Sequence, residues 1–324
     1  MRSQRHVYGP IVLLLATVTV SACQRSRETP SGPRLALSSK VELPSDQIQT
    51  PGVFVAEYIH HPGTDFAPPP KAMVYAHFVD ERGRILFQDD HAPLPPMSEW
   101  KPGSTISYRR LIYAPPLELD SRLTVVVGVY DPVPDGARYQ LAGGDSRDAV
   151  PASLAATRSI IPFTPIEGLD TIFLEGWYAP EFDPVSDNHW RWSGPKSVAS
   201  VPRPKRDSVL FLSGSVPATE FAAPANVKLL INGQELASIT PDGTFVFMKA
   251  VPPALLGEQP RADLTVTCDQ SFVPAAKGGS SDTRQLSVLM RVLHVQEGIP
   301  AGFSPTDDTV SLAGFVQGTG GSQR

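Results

Sequence analysis

The chain has 324 residues and a formal net charge of −5, from 28 Lys and Arg against 33 Asp and Glu. This acidity argues against a nucleic-acid partner, because phosphate binding needs a basic surface. The 34 prolines are about twice the average usage of ~5%. They interrupt nearly every apolar run, which disfavours long helices.

Residues 1–22 predict a secretory signal peptide. Arg2 and Arg5 precede an apolar run at 11–20, and the small residues Ser21 and Ala22 follow it, directly before the predicted cleavage site. The run is shorter than the ~20 apolar residues of a membrane span. A retained membrane anchor and an ordinary signal peptide are the alternatives. Without Arg2 and Arg5, the remaining chain would carry a net charge of −7.

Cys23 stands at the predicted cut. The run Val20-Ser21-Ala22-Cys23 resembles the lipobox of bacterial lipoproteins. The resemblance implies that Cys23 is acylated and anchors the chain in a membrane. Gln24 stands where an Asp tends to retain lipoproteins at the inner membrane, which favours the outer membrane in an organism with two. We therefore expect an exported, lipid-anchored protein of the cell envelope.

A flexible tether is predicted at 23–46, because its Pro-, Ser- and charge-rich start has little to bury. A first β domain is predicted at 47–165, since its apolar runs are short, β-branched and aromatic. Its predicted strands are 53–59, 72–79, 85–88, 105–113 and 123–130.

A second β domain is predicted at 166–298, with a mostly flexible tail at 299–324 of which part packs as a last strand. Asn232-Gly233 predicts a hairpin, because both turn residues need positive φ, and Asp242-Gly243 predicts a second one. The predicted strands are 171–175, 209–212, 227–231, 244–248, 264–268 and 286–292. Short helices are predicted only at 253–257 and 152–158.

The fold class that follows is all-β, with two consecutive β-sandwiches of immunoglobulin-like or jelly-roll-like type. With Cys23 acylated, Cys268 would have no partner in the chain, and its strand-like surroundings predict a small buried hydrophobe.

Two sets of motifs carry resemblances to known modules. The first set comprises His77-Phe78-Val79-Asp80, Gly83, 88–93, 100–103, 128–132 and Arg138. It resembles a β-sandwich module found at the ends of bacterial membrane glycosyltransferases and in exported proteins. The second set comprises Gly176-Trp177-Tyr178, Glu181, 190–192, 272–274 and 282–286. It is similar to another β-sandwich module, found beside bacterial glycosyltransferases and carbohydrate-active proteins. Both resemblances imply the fold, without a ligand.

A group of acidic and imidazole side chains in the first domain could bind a divalent metal or act as acid and base. Its candidate metal ligands are His77, Asp89, Asp90 and His91, with Asp80 on the opposite face from His77. The alternative is a structural loop, in which Asp side chains cap turns. No metal or catalytic motif of fixed spacing supports the chemical interpretation, and we expect no cofactor.

An aromatic group in the second domain could bind glycan, because Trp faces stack on sugars while Arg and Glu hold hydroxyls. Its members are Trp177, Tyr178, Trp190, Arg191 and Trp192. Strand alternation would put Trp190 and Trp192 on one face and Arg191 on the other. The preferred interpretation is that both tryptophans fill the core. Arg191 would then pair with an acid such as Glu175, Glu181 or Asp282.

Asp282 and Arg284 precede the last long strand and predict a structural clamp, with contact to a sugar hydroxyl as the alternative. Three functions remain open at this point. The first is a non-enzymatic envelope lipoprotein that binds glycan or an envelope partner. The second is a saccharide-acting hydrolase or transferase that uses loop carboxylates such as Asp89, Asp90 or Glu181. The third is a structural subunit of an envelope assembly.

Overall fold

The computed structural model of the chain describes residues 32–43, 45, 47–117, 122–133, 136–142, 149–150, 153–162, 171–183, 188–304 and 309–312. These residues belong to one compact unit, Gly32–Arg324. Strands dominate it, so the all-β fold class is confirmed. The predicted signal peptide and Cys23 lie outside the described residues.

The first half of the unit forms a mixed sheet and a three-stranded sheet. The strands are β1 (Arg34–Leu35), β2 (Leu37–Glu42), β3 (Gln47–Thr50), β4 (Gly52–Pro62), β5 (Met73–Val79), β6 (Ile85–Gln88), β7 (Ile106–Ala114), β8 (Arg122–Tyr130), β9 (Arg138–Ala142), β10 (Ala149–Val150) and β11 (Ser153–Pro162). The three-stranded sheet has the order β2-β4-β7, and the other runs β1-β9-β8-β11-β3 with β5, β6 and β10 attached. One apolar core, which includes Leu37, Tyr58, Phe78 and Leu123, contains residues from both sheets.

The second half forms two further sheets. Their strands are β12 (Ile172–Phe173), β13 (Glu181–Asp183), β14 (Asn188–Trp192), β15 (Lys196–Pro202), β16 (Ser208–Ser215), β17 (Val227–Ile231), β18 (Gln234–Ile239), β19 (Thr244–Val251), β20 (Arg261–Cys268), β21 (Leu289–Glu297) and β22 (Thr309–Leu312). The sheet orders are β12-β15-β20-β17-β18 and β13-β14-β21-β16-β19-β22. A second core contains Leu210, Leu229, Phe247 and Val266 from both sheets.

Helices are short throughout the described residues. One α-helix spans Pro253–Leu256, and 3₁₀ turns span Met97–Glu99, Ala218–Glu220 and Pro274–Lys277. None of these described helices has the length and hydropathy needed to cross a membrane. The α-helix confirms the prediction at 253–257, but the helix predicted at 152–158 is wrong. Those residues lie mostly in β11, because pairing with β8 overrides the helical preference of an Ala-rich run.

The predicted tether ends earlier than residue 46. β1 and β2 already belong to the first half, and Leu35, Leu37 and Val41 are buried in its core. The first β domain therefore starts before residue 47. The period of two in these residues shows that they have an apolar face to bury. At the other end, β22 confirms that part of the predicted tail packs as a last strand, beside β19.

A third apolar cluster, here called the seam, joins the two halves. It contains Val53, Val55 and Leu111 from the first half, Val209, Phe211 and Met248 from the second, and Phe303. The Gln296 side chain adds a polar contact, accepting a 2.5 Å hydrogen bond from the Val53 backbone N–H. The halves therefore share buried side chains, and the division at residues 165 and 166 stays a prediction.

Candidate functional site

Strand alternation separates the residues predicted as metal ligands. Residues 88–91 run beside β5 and form backbone hydrogen bonds with it. Asp89 and His91 point into the first core, whereas Asp90 points away and has His77 Nε2 3.6 Å from its Oδ1. A single metal site built from these four residues is therefore wrong. Among the described residues, no three His, Cys, Asp or Glu side chains come together as a metal site.

Asp80 takes the turn-capping role that was predicted for the neighbouring aspartates. Its Oδ1 accepts hydrogen bonds from the backbone N–H groups of Arg82 and Arg84, and its Oδ2 accepts one from Arg84 Nε at 2.7 Å. The backbone hydrogen bond from Arg84 is the largest effect that lowers the pKa of Asp80. Asp80 therefore closes the turn between β5 and β6.

Asp89 lies at the centre of a buried polar network. Arg110 Nε and Nη2 each donate to its carboxylate at 2.7 Å, and the Tyr58 hydroxyl donates at 2.7 Å. Burial raises the pKa of Asp89, but the charge of Arg110 and contact with His91 outweigh burial and hold the pKa well below its usual range. Because the carboxylate stays ionised at ordinary pH, Asp89 is unsuited to act as a general acid.

The network continues through the Tyr108 hydroxyl. That oxygen lies 2.8 Å from His91 Nε2 and 3.2 Å from His60 Nε2, and His60 Nδ1 lies 2.8 Å from Ser39 Oγ. Burial and the neighbouring imidazoles lower the pKa of His60 to about 3. All four side chains are buried. The network therefore fixes the packing of the first core and offers no surface to a substrate.

The predicted aromatic group divides between core and surface. Trp177 packs against the second core. Trp190 and Trp192 are half-buried and lie outside that core, so the interpretation that both fill it is wrong. Arg191 pairs across the sheet with core residue Met290, so β14 turns its two tryptophans to the opposite face.

Arg191 forms none of its expected ion pairs among the described residues. Its guanidinium carbon lies 4.7 Å from the centre of the Phe173 ring, and its Nη1 donates to the Tyr178 carbonyl at 2.9 Å. Arg191 therefore joins the edges of the two sheets of the second half through an aromatic ring and a backbone oxygen.

Arg284, and not Arg191, forms ion pairs with the acids Glu181 and Asp282. Its Nη1 donates to Glu181 Oε1 at 2.6 Å and its Nη2 to Asp282 Oδ2 at 2.7 Å, and its Nε lies 2.9 Å from Asp282 Oδ1. The clamp predicted between Asp282 and Arg284 is confirmed. Trp190 Nε1 donates to the other oxygen of Glu181 at 3.1 Å, and the guanidinium carbon lies 5.2 Å from the Tyr178 ring centre. We call these five residues the Arg284 cluster: Tyr178, Glu181, Trp190, Asp282 and Arg284.

The cluster is held in place and partly open to solvent. The Tyr178 hydroxyl donates to the carbonyl of Gln285 and accepts from its N–H, which fixes the ring. The side chains of Arg284, Glu181 and Asp282 are 34%, 32% and 25% exposed. A molecule at the surface can therefore reach charged groups whose geometry is set before it arrives.

Gly176 allows the segment that contains Trp177 to pass close to the backbone of Lys196 and Ser197 in β15. Gly176 has φ of 80°, and a Cβ there would lie 2.1 Å from the Lys196 carbonyl oxygen. The close approach lets Trp177 pair with Ser193 beyond the end of β14. That pairing places Tyr178 next to Trp192, with a backbone hydrogen bond between them.

Phe182 is not among the predicted site residues. It is 61% exposed and its ring stacks on His189, with 5.8 Å between the centres. Register places this pair on the opposite face of the β13–β14 hairpin from Glu181 and Trp190. The alternation in Glu181-Phe182-Asp183 is the sequence signal for this residue, because an apolar ring between two acids in a strand faces the other side from them.

A cavity of about 310 Å³ lies elsewhere, where the two halves meet. Ile48, Gln49, Val53, Glu297 and Ile299 are among its lining residues, and none of the predicted glycan-binding residues belongs to it. The Arg284 cluster is therefore a surface site, separate from this cavity.

Neither a protein-family model nor a curated protein matches this chain. The resemblances to a lipobox and to glycosyltransferase-associated modules therefore stay predictions from the sequence.

Proposed function

We propose that the chain is a lipid-anchored envelope protein that binds glycan at the Arg284 cluster and does not catalyse a reaction there. The observation that carries the proposal is the convergence of Tyr178, Glu181 and Trp190 with Asp282 and Arg284, about a hundred residues later, in one half-exposed group. Aromatic rings beside fixed carboxylates and a guanidinium suit a polyhydroxylated ligand.

The charges of the cluster favour binding over hydrolysis. A saccharide hydrolase needs one carboxyl that stays protonated to act as general acid. Hydrogen bonds from Arg284 lower the pKa of Asp282, which removes it from that role. Glu181 is held by the same guanidinium. Two carboxylates fixed on one arginine are better suited to receive hydrogen bonds than to transfer protons.

A glycan panel tests the binding function. The chain from Gln24 onward, secreted without Cys23, would be screened against neutral and charged oligosaccharides. Arg284→Ala and Trp190→Ala should each weaken binding about ten-fold or more, since both remove a central contact. Arg203→Ala, on an exposed arginine at the far end of β15, is the matched control and should bind normally.

The anchor has its own experiment. Cys23→Ser should abolish fatty-acid labelling and release the chain from membranes into the soluble fraction. Labelling that persists in this variant would contradict the anchor and would leave the glycan site untouched.

Binding that survives both cluster variants, with circular dichroism showing an intact fold, would place any glycan site elsewhere. The absence of binding to every glycan would instead move the function toward an envelope protein partner, which a crosslinking experiment on intact cells would then seek.

A further inference from the structure

We propose that the Arg284 cluster selects neutral sugars and rejects carboxylated ones. This inference rests on the proposed function and deepens it by naming the ligand class. It is carried by two features of the cluster, which are its unused hydrogen-bonding groups and its balance of fixed charge.

The unused groups match hydroxyls. Of the five N–H groups of a guanidinium, Arg284 directs three to Asp282 and Glu181 within the described residues, which leaves one N–H on each terminal nitrogen. From the residues that the structure describes, each oxygen of Glu181 accepts one hydrogen bond, which leaves it a second lone pair. Donors and acceptors thus stand side by side. A sugar hydroxyl both donates and accepts, so it can use one of each.

The fixed charge opposes anions. Glu181 and Asp282 together exceed the single positive charge of Arg284. Arg191, which follows Trp190 in β14, faces the opposite way, toward Phe173. A ligand carboxylate placed within hydrogen-bond reach of Arg284 would therefore also stand close to like charges.

Both acids already hold the guanidinium on which an anion would dock. Asp282 binds Arg284 through two nitrogens, and Glu181 binds the third. A ligand carboxylate on the two remaining N–H groups would therefore stand beside two carboxylates, whereas a neutral hydroxyl on the same groups brings no third negative charge.

Matched ligands test the selection. Cellotetraose, maltotetraose and mannotetraose would each be titrated against the secreted chain from Gln24 onward, beside the same tetramer oxidised to the carboxylate at C6. We expect the neutral form of the ligand that binds to have an affinity about ten-fold higher than its carboxylated form. Adding salt should narrow that difference, because it screens the repulsion.

Glu181→Gln is the decisive variant, since it removes one negative charge and keeps an acceptor oxygen. In this variant, the ratio of the affinity for the neutral tetramer to the affinity for the carboxylated tetramer should fall by several-fold. Glu258→Gln, the same change on an exposed residue at the opposite end of the second half, should leave the ratio unchanged.

The outcomes separate this inference from the proposed function. Equal or tighter binding of the carboxylated tetramer would overturn the selection and leave glycan binding standing. A ratio that does not respond to Glu181→Gln would also overturn it. If none of the tetramers binds in either form, and the wider glycan panel is negative as well, the proposed function fails and this inference fails with it.

Discussion

Among individual residues, Asp89 shows how an ion pair offsets the free-energy cost of removing a charged side chain from water. Arg110 and Asp89 are both nearly inaccessible, and each satisfies the other through two hydrogen bonds. Such a pair contributes little net stability by itself, but each member depends on the other.

Removing one partner should therefore be costly. Arg110→Met should lower the free energy of unfolding by about 3–5 kcal/mol, because it leaves the Asp89 carboxylate buried without its cation. Urea denaturation measures the change. Lys40→Met breaks an exposed pair with Glu42 and should cost about 1 kcal/mol or less. Equal losses in the two variants would mean that Asp89 finds another partner or is hydrated.

His60 makes stability depend on pH. Its pKa in the folded protein is about 3, whereas an unfolded chain takes up the proton near pH 6.5. The unfolded state therefore binds more protons between these values, and stability falls as the pH drops through that window. His294, whose pKa burial lowers to about 4, acts in the same direction. Each should contribute a loss of about 2 kcal/mol between pH 8 and pH 5.

Urea midpoints measured at several pH values check this prediction. His60→Gln should flatten the dependence, even though it also lowers stability at every pH by disturbing the network. His61→Gln, on the exposed neighbour, should leave the dependence as it is in the wild type. A wild-type midpoint that stays constant from pH 8 to pH 5 would show that His60 is protonated in the folded state.

At the scale of strands and turns, the sequence predicts what local chemistry decides. Asn232 and Gly233 have φ of 49° and 80° and join β17 to β18, as their turn preference requires. Asp242-Gly243 has the same signature, yet the hairpin predicted there is wrong. Its turn leads from β18 in one sheet to β19 in the other, because the core assigns these strands to opposite layers.

A β-bulge in β21 makes the buried face of this strand unpredictable from the sequence. Leu286, Val288 and Met290 are buried, as their alternation predicts, but the buried positions then change to Leu293 and Val295. Opposite Gly214 the strand carries one extra residue, which reverses the faces of all that follow. No period in the sequence marks such an insertion.

The candidate site was only partly predictable for a similar reason. Its residues could be named from their chemistry. Their contacts could not, since Arg284, in the segment before β21, reaches Glu181 of β13 only after the distant strands β14 and β21 pair. The adjacency of Asp89 and Asp90 predicts one site, whereas their side chains lie on opposite faces of the strand.

The pairing of β5 with β8 depends on one glycine. Tyr75 lies directly opposite Gly128, and a Cβ at Gly128 would stand 2.2 Å from Cζ of that ring. Gly128→Ala should therefore cost about 1–3 kcal/mol, because the ring must leave its place. Thermal unfolding measures the loss. In a Tyr75→Ala background the same change should cost much less, and an equal cost in both backgrounds would assign the effect to the backbone.

For the whole molecule, the seam predicts that the two halves unfold together. Phe211 is buried there and stacks on Tyr113 of the first half, with 6.0 Å between the rings. Calorimetry of the wild-type chain should show a single transition. Phe211→Ala should lower stability by about 3–5 kcal/mol, through lost burial and the cavity it leaves. Two separate transitions in the wild type would show that each core folds independently of the seam.

The seam also has a mechanical consequence. The Gln296 side chain is hydrogen-bonded to the Val53 backbone at the place where apolar side chains of the two halves pack together. Any bending between the two halves would have to break this hydrogen bond and separate the packed side chains of Val55, Phe211 and Phe303 at the same time. We therefore expect the described strands of both halves to move as one rigid body.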